Sequence, residues 1–244
     1  MIPLRDNAAP RRFTPVNVTL IVVNLAIFLY EVSLGPRAIA FVSKFAMIPA
    51  DVAAALSMHP AAIANSMSPR TAYDSIAPLA TIVTAMFLHG SIWHVLGNCL
   101  YLFIFGAAVE SRMHSTRYLL FYLACGISAA LATVWIAPAS DVPMLGASGA
   151  IAGVLGSYFI LYPRGRILTV LPLIVTSYVI EIPAVIYLLF WFGVQLYSGL
   201  AEGAQAALVG GVAWWAHVGG FLFGMAIAPM LAERPSTPRR RARR

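Results

Sequence analysis

Six long apolar runs decide what this chain can be. They cover about Val16 to Leu34, Ile92 to Val109, Tyr118 to Ile136, Ser148 to Leu161, Ile182 to Tyr197 and Val212 to Leu231. A helix that crosses a membrane needs about 20 apolar residues, because the hydrocarbon core is about 30 Å thick and each residue rises about 1.5 Å. The runs are continuous and do not alternate at every second residue, which argues for helices over a β-barrel. Of 244 residues, 60% are apolar and 10% charged, against about 45–50% and about 25% in a soluble domain. That balance excludes a soluble globular enzyme and a disordered chain. The expected fold is all-α, a polytopic membrane bundle of six transmembrane helices.

The links carry their own signals. Residues from Gly35 to about Gly90 are rich in Ala, Met, Ser and Pro. They are too polar and too Pro-broken to span, and read as an interfacial or re-entrant first loop. Leu168 to Ile180 is apolar but β-branched and holds Pro172, so it reads as extended or interfacial. Glu110, Arg112, His114 and Arg117 form a polar link, and Ser198 to Gly211 reads as a loop. The two cysteines, Cys99 and Cys125, fall inside apolar runs and read as core thiols, not as a disulfide or a metal pair.

Charge placement orients the bundle. The termini and the links after the second and fourth runs hold 13 of the 16 Lys and Arg residues; the other links hold only Arg37, Lys44 and Arg70. By the positive-inside rule both termini are expected in the cytoplasm, with the bundle in the cell (inner) membrane. Residues 1–15 then form a cytoplasmic N-terminal segment, 16–231 the membrane domain, and 232–244 a basic cytoplasmic tail. That tail is read as an anchor on anionic lipid, with no nucleic-acid partner.

Polar residues inside spans are costly and mark functional candidates. Three clusters stand out: His89-Gly-Ser-Ile-Trp-His94-Val-Leu-Gly-Asn98, Gly146-Ala147-Ser148-Gly149, and Ala216-His217-Val218-Gly219-Gly220. Each residue alone has an ordinary structural role open to it, such as a serine back-bonding to its own helix. Together they supply more. Ser148 stands beside glycines at a helix start, where backbone N–H groups are free and the dipole is positive. His217 can act as a base. His94 and Asn98, four apart on one helix face, can donate to an oxyanion.

Small residues give the pair a reason to meet. Gly149, Gly153 and Gly156 share one face of the fourth run. Ala213, His217, Gly220, Gly224 and Ala228 share one face of the sixth. Such faces let helix backbones approach closely. Gly219 lies off that face and is expected to tolerate a methyl better than Gly220. No acid is placed to complete a triad, so His217 is expected to be oriented by packing alone.

The three motifs, in this order, resemble the rhomboid intramembrane serine proteases. The matching elements are Gly146 to Gly149, the Ala-His-x-x-Gly-x-x-x-Gly from Ala216 to Gly224, and the His-x4-His-x3-Asn from His89 to Asn98. Phe105 to Arg112 also looks like the family's link after its second span. The resemblance covers about Pro78 to Ala228. It implies a six-helix core, Ser148 as nucleophile, His217 as base, and an oxyanion hole of His94, Asn98 and the Ser148 N–H. It implies structural roles for His89 and for the pair Glu110 and Arg112. It implies transmembrane protein substrates taken from the lipid bilayer, with no cofactor and no metal. Three positions depart from the family's pattern: the Trp-Arg pair of the first loop is absent, Ala152 stands where some members carry an aromatic, and His114 stands where Gly is common. Two rivals are weighed against it. An inactive relative that binds transmembrane helices should lack the Ser or the His. A metal transporter using His89, His94 and His217 should show acidic or Cys ligands beside them.

Overall fold

The computed structural model describes residues 1–7, 13–57, 76–172, 177–206 and 213–233. Its long helices follow the apolar runs. They are α1 (Pro15–Ser33), a span at Ile92–Met113 here called α5, α6 (Ser115–Ile136), α7 (Ser148–Leu161), α8 (Ala184–Ala206) and α9 (Trp214–Leu231). Three short helices lie between the first two: α2 (Ala38–Phe45), α3 (Pro49–Ala55) and α4 (Pro78–Thr84). All of these but α2 to α4 and α7 are long and apolar enough to cross a membrane. The chain is a polytopic helical membrane protein. The fourth expected span, α7, has only 14 residues and is the centre of the bundle, buried from Gly149 through Tyr158.

The first helix shows how a membrane reverses the usual pattern. Val18, Val22, Leu29 and Val32 face outward, while Asn17, Asn24 and Glu31 face in with Leu20 and Phe28. Lipid accepts apolar side chains and rejects polar ones, so the polar stripe turns to the protein. Glu31 is the one acid in this run; the two asparagines at seven-residue spacing share its face.

Several links differ from the sequence reading. The second span continues to Met113, so Glu110 and Arg112 lie in its last turns and not in a loop. The turn after it falls on His114, whose φ is +59°. That is the left-handed region where glycine is at ease, so the histidine here is the costlier residue for the turn. His114 Nε2 contacts Glu233 Oε1 at 2.6 Å, a partner that a glycine could not reach. Residues 198–206, read as a loop, extend α8. Gly199, inside this extension, packs against the Trp215 ring and the Trp214 Cβ. The rest of that link, residues 58–75 of the first loop and the basic tail beyond residue 233 lie outside the described residues.

The extended stretch near Leu168 is a hairpin, β2 (Arg166–Pro172) and β3 (Ser177–Pro183). The N-terminal segment adds a third strand, β1 (Ile2–Asp6), antiparallel to β2 with an irregularity between Pro3 and Arg5. Asp6 accepts a 2.8 Å hydrogen bond from the Tyr158 hydroxyl near the C-terminal end of α7. The sheet therefore sits at the opposite end of α7 from Ser148.

A polar knot closes the same end. Glu110 Oε1 accepts from the Val16 N–H at 3.1 Å and from the Ser115 hydroxyl at 2.6 Å; Oε2 accepts from the Asn17 N–H at 2.7 Å. One carboxylate thus satisfies the free first turn of α1. A π-helical stretch, Leu102–Gly106, interrupts α5, and the Asn17 amide donates to the Leu102 carbonyl at 2.9 Å. A side chain inserted beside a helix ladder is a common partner of such bulges. Glu110 and Arg112 do not serve each other. The Arg112 guanidinium donates to the carbonyls of Glu233 at 2.7 Å and Leu161 at 3.5 Å.

Candidate active site

Backbone contact between α7 and α9 sets the site. A Cβ on Gly220 would collide with the Gly149 carbonyl, and one on Gly224 with the Gly153 carbonyl. From the other side, a Cβ on Gly156 would meet the Phe221 carbonyl. Without side chains at these positions the two backbones lie against each other. Gly219, off this face, is not in open space either. It faces α6, where a Cβ would meet the Ala132 methyl. The helix α9 is thus wedged between two neighbours and is small on both sides.

That seam brings Ser148 and His217 together. His217 Nε2 lies 2.8 Å from Ser148 Oγ. Ser148 is the first residue of α7, and no side chain caps that helix. Its first N–H groups are left for whatever enters the site, and the positive end of the helix dipole faces the same way. Gly146, with φ +121°, makes the turn before it. A Cβ on Gly146 would come within 2.7 Å of the His94 ring and 3.8 Å of Ser148 Oγ. The missing side chain therefore makes room for the His94 ring next to the Ser148 hydroxyl.

His94 and Asn98 both line one cavity with Ser148 and His217, about 550 Å³ in volume, which also meets Trp93 and Trp214. Asn98 is held from behind. Its Nδ2 lies 3.0 Å from His89 Nε2, and His89 Nδ1 lies 3.2 Å from the Phe87 carbonyl. With the Asn98 amide donating to Nε2, the His89 proton sits on Nδ1 and is used by Phe87. His89 thus stands behind the cavity, edge-on to the His94 ring at 5.1 Å between centroids. Glu110 and Arg112 belong to the other end of the bundle, since Arg112 reaches the last turn of α7.

The geometry adds one residue that sequence reasoning missed. Gln195, on α8 and buried, places its Oε1 2.7 Å from His217 Nδ1. The imidazole is therefore held by a side chain and not by packing alone. A signal was present: Gln195 is the one amide in an otherwise apolar run, and an amide in lipid must find a partner. Two indoles complete the enclosure, with the Trp191 ring 5.8 Å from the His217 ring and Trp214 edge-on at 6.4 Å. Ala152 leaves the α7 side of the imidazole without a ring, and Trp191 from α8 lies against it instead. The three histidines of the metal alternative are each engaged with Ser148, Asn98 or one another, and no group of three or more metal-ligating side chains occurs among the described residues.

Comparison with known proteins agrees with the motifs. The rhomboid domain family model matches residues 77–234. Rhomboid protein 1, mitochondrial, of Saccharomyces cerevisiae is 28% identical over 157 residues, 62% of this chain and 42% of that protein. Rhomboid protease GluP of Bacillus subtilis is 43% identical over 76 residues, 31% of this chain and 14% of that one. RHOMBOID-like protein 6, mitochondrial, of Arabidopsis thaliana is 28% identical over 156 residues, 64% of this chain and 45% of that protein. The matches span less than half the length of each of these relatives.

Proposed function

The chain belongs to the rhomboid family, and from that premise we propose that it is an intramembrane serine endopeptidase working through Ser148 and His217. The observation that carries the reading is the 2.8 Å contact between Ser148 Oγ and His217 Nε2 at an uncapped helix start inside a cavity. Ser148 Oγ attacks the carbonyl carbon of a peptide bond as His217 Nε2 takes its proton. The oxygen of that carbonyl becomes an oxyanion, met by the Ser148 N–H, His94 and Asn98. The bond to the leaving amine then breaks, and the imidazolium returns the proton to the amine. Water, activated by the same imidazole, releases the acyl group from Ser148.

Depth supports a site within the membrane but open to water. A 14-residue α7 is about 21 Å long, against about 30 Å for the hydrocarbon core. With its Leu161 end at one interface, Ser148 lies roughly 9 Å below the other. The basic residues favour the cytoplasm for the termini, which puts Ser148 beneath the outer face of the cell membrane. The substrates are transmembrane proteins whose helices unwind near that face, because an intact helix hides its carbonyls.

The test is labelling of the detergent-purified full chain with a fluorophosphonate probe, followed by mapping of the modified residue. The label is expected on Ser148. Ser148→Ala should take no label, cleave no transmembrane model substrate and melt like the parent. Cleavage by that variant at the parent rate would overturn the assignment.

A further inference from the structure

We propose that Gln195 is a positioning residue that locks His217 in the tautomer with its proton on Nδ1, leaving Nε2 as the acceptor for the Ser148 proton. The inference rests on the Ser148–His217 reading for its catalytic meaning, but the tautomer it assigns is a property of the resting protein.

An imidazole beside a serine has two neutral forms, and only one is a base toward the hydroxyl. What selects between them is the partner of the far nitrogen. Here that partner is an amide, which could in principle present either its oxygen or its nitrogen. A second contact decides. Gln195 Nε2 donates to the Trp191 carbonyl at 3.3 Å, one turn back along α8. Turning the amide over would set its oxygen against that carbonyl and its N–H₂ against the ring, losing the donor-to-carbonyl bond. Gln195 Oε1 therefore faces His217 Nδ1 and must receive a proton from it across 2.7 Å. The N–H is on Nδ1, and the lone pair of Nε2 points at Ser148 Oγ, 2.8 Å away.

The choice of an amide follows from the surroundings. Gln195 and His217 are both buried. A carboxylate in that position would carry the desolvation cost of a buried charge whenever the ring is neutral. A glutamine orients the ring at no such cost. It is also fixed at its other end by its own helix, so little rotamer freedom is lost when it binds the ring. The orienting group arrives on α8, while Ser148 and His217 ride on α7 and α9. Three helices must therefore be in register for the base to point at the nucleophile.

Two measurements test this. In the wild-type protein, the ¹⁵N shifts of selectively labelled His217 are expected to show Nδ1 protonated and Nε2 unprotonated at neutral pH. The opposite tautomer would overturn the inference and leave the serine assignment standing. Secondly, Gln195→Met keeps the length and removes the acceptor, whereas Gln195→Glu keeps the acceptor. Met should slow fluorophosphonate labelling and kcat by about 10- to 100-fold, the scale seen when a metal-bound histidine loses its orienting partner, with KM within about twofold. Glu, which keeps the acceptor but sets an oxygen against the Trp191 carbonyl, should recover part of that loss. Labelling of Gln195→Met at the parent rate, or equal loss in both variants tracking their melting temperatures, would reduce Gln195 to a packing residue. Absence of any label on wild-type Ser148 would instead strike the catalytic reading, while the ¹⁵N result would still decide the tautomer.

Discussion

The two ends of α7 bury similar kinds of polar group and treat them in opposite ways. At the Leu161 end polar atoms close on one another: Glu110 takes the first turn of α1, Asn17 takes Leu102, and Arg112 takes the carbonyls of Leu161 and Glu233. At the Ser148 end the helix start has no cap, and the side chains of Ser148, His94, Asn98 and His217 line a cavity. The difference separates two uses of polarity in a membrane. Groups that complete each other hold helices together. Groups held from behind, as Asn98 is by His89 and His217 by Gln195, keep their front for the cavity. The contrast should appear as a split between stability and rate.

The largest effect is expected at the open end. His217→Ala should lower kcat by at least about 10³-fold, since members of such a unit fail together, and should abolish probe labelling while the melting temperature holds. A folded variant that still labels at neutral pH would point to another base. Asn98→Ala should lower kcat by about 10²–10³-fold, the usual cost of one oxyanion donor. KM should change little; a raised KM at constant kcat would make Asn98 a binding residue.

Between the two ends lies the seam. Gly220→Val places three carbons against the Gly149 backbone, and overpacking of this sort costs about 1–3 kcal/mol. It should lower the melting temperature and, by moving His217 away from Ser148 by even about 1 Å, cut the rate roughly 10²-fold. Gly219→Ala meets a methyl on α6 and leaves the α7 backbone untouched. It should cost stability but less activity per folded molecule, and an equal loss of rate at both positions would break the seam account of the dyad.

The closed end should show the reverse. Glu110→Ala strands three donors, of which buried ones cost about 1–3 kcal/mol each. The melting temperature should fall by several degrees while the rate per folded molecule stays near the parent's. Loss of rate without loss of stability would tie this end to the chemistry and erase the contrast.

How much of this could be read beforehand depended on how local the cause was. Helices appeared because a run of apolar residues is its own signal. The α7–α9 seam appeared because glycine and alanine recur every three or four residues. The residues around the cavity stand out in the sequence because polar groups in apolar runs are few. What escaped was decided by distant partners. The strand Ile2–Asp6 pairs with residues more than 160 positions away, and nothing in Ile-Pro-Leu-Arg-Asp announces that. Past Ser198, α8 runs on with Gly199 against Trp214 and Trp215, a contact 15 residues ahead in the chain. Gln195 was visible as an isolated amide, but its partner is 22 residues on, and only the fold says which way it turns.

The cap on α1 has a consequence for how the protein is made. The N–H of Val16 is satisfied by a carboxylate 94 residues further along the chain. At about 5–20 residues per second, synthesis reaches Glu110 some 5–19 s after Val16 has been joined. For that interval the first helix exists without its cap. A cysteine at Thr14, buried in the final structure, should react with a soluble maleimide in stalled chains whose emerged part stops short of Glu110. It should become shielded in chains whose emerged part runs past Arg117. The first helix made is thus finished only once the second span is in place, and until then it belongs to the insertion machinery and the lipid headgroups.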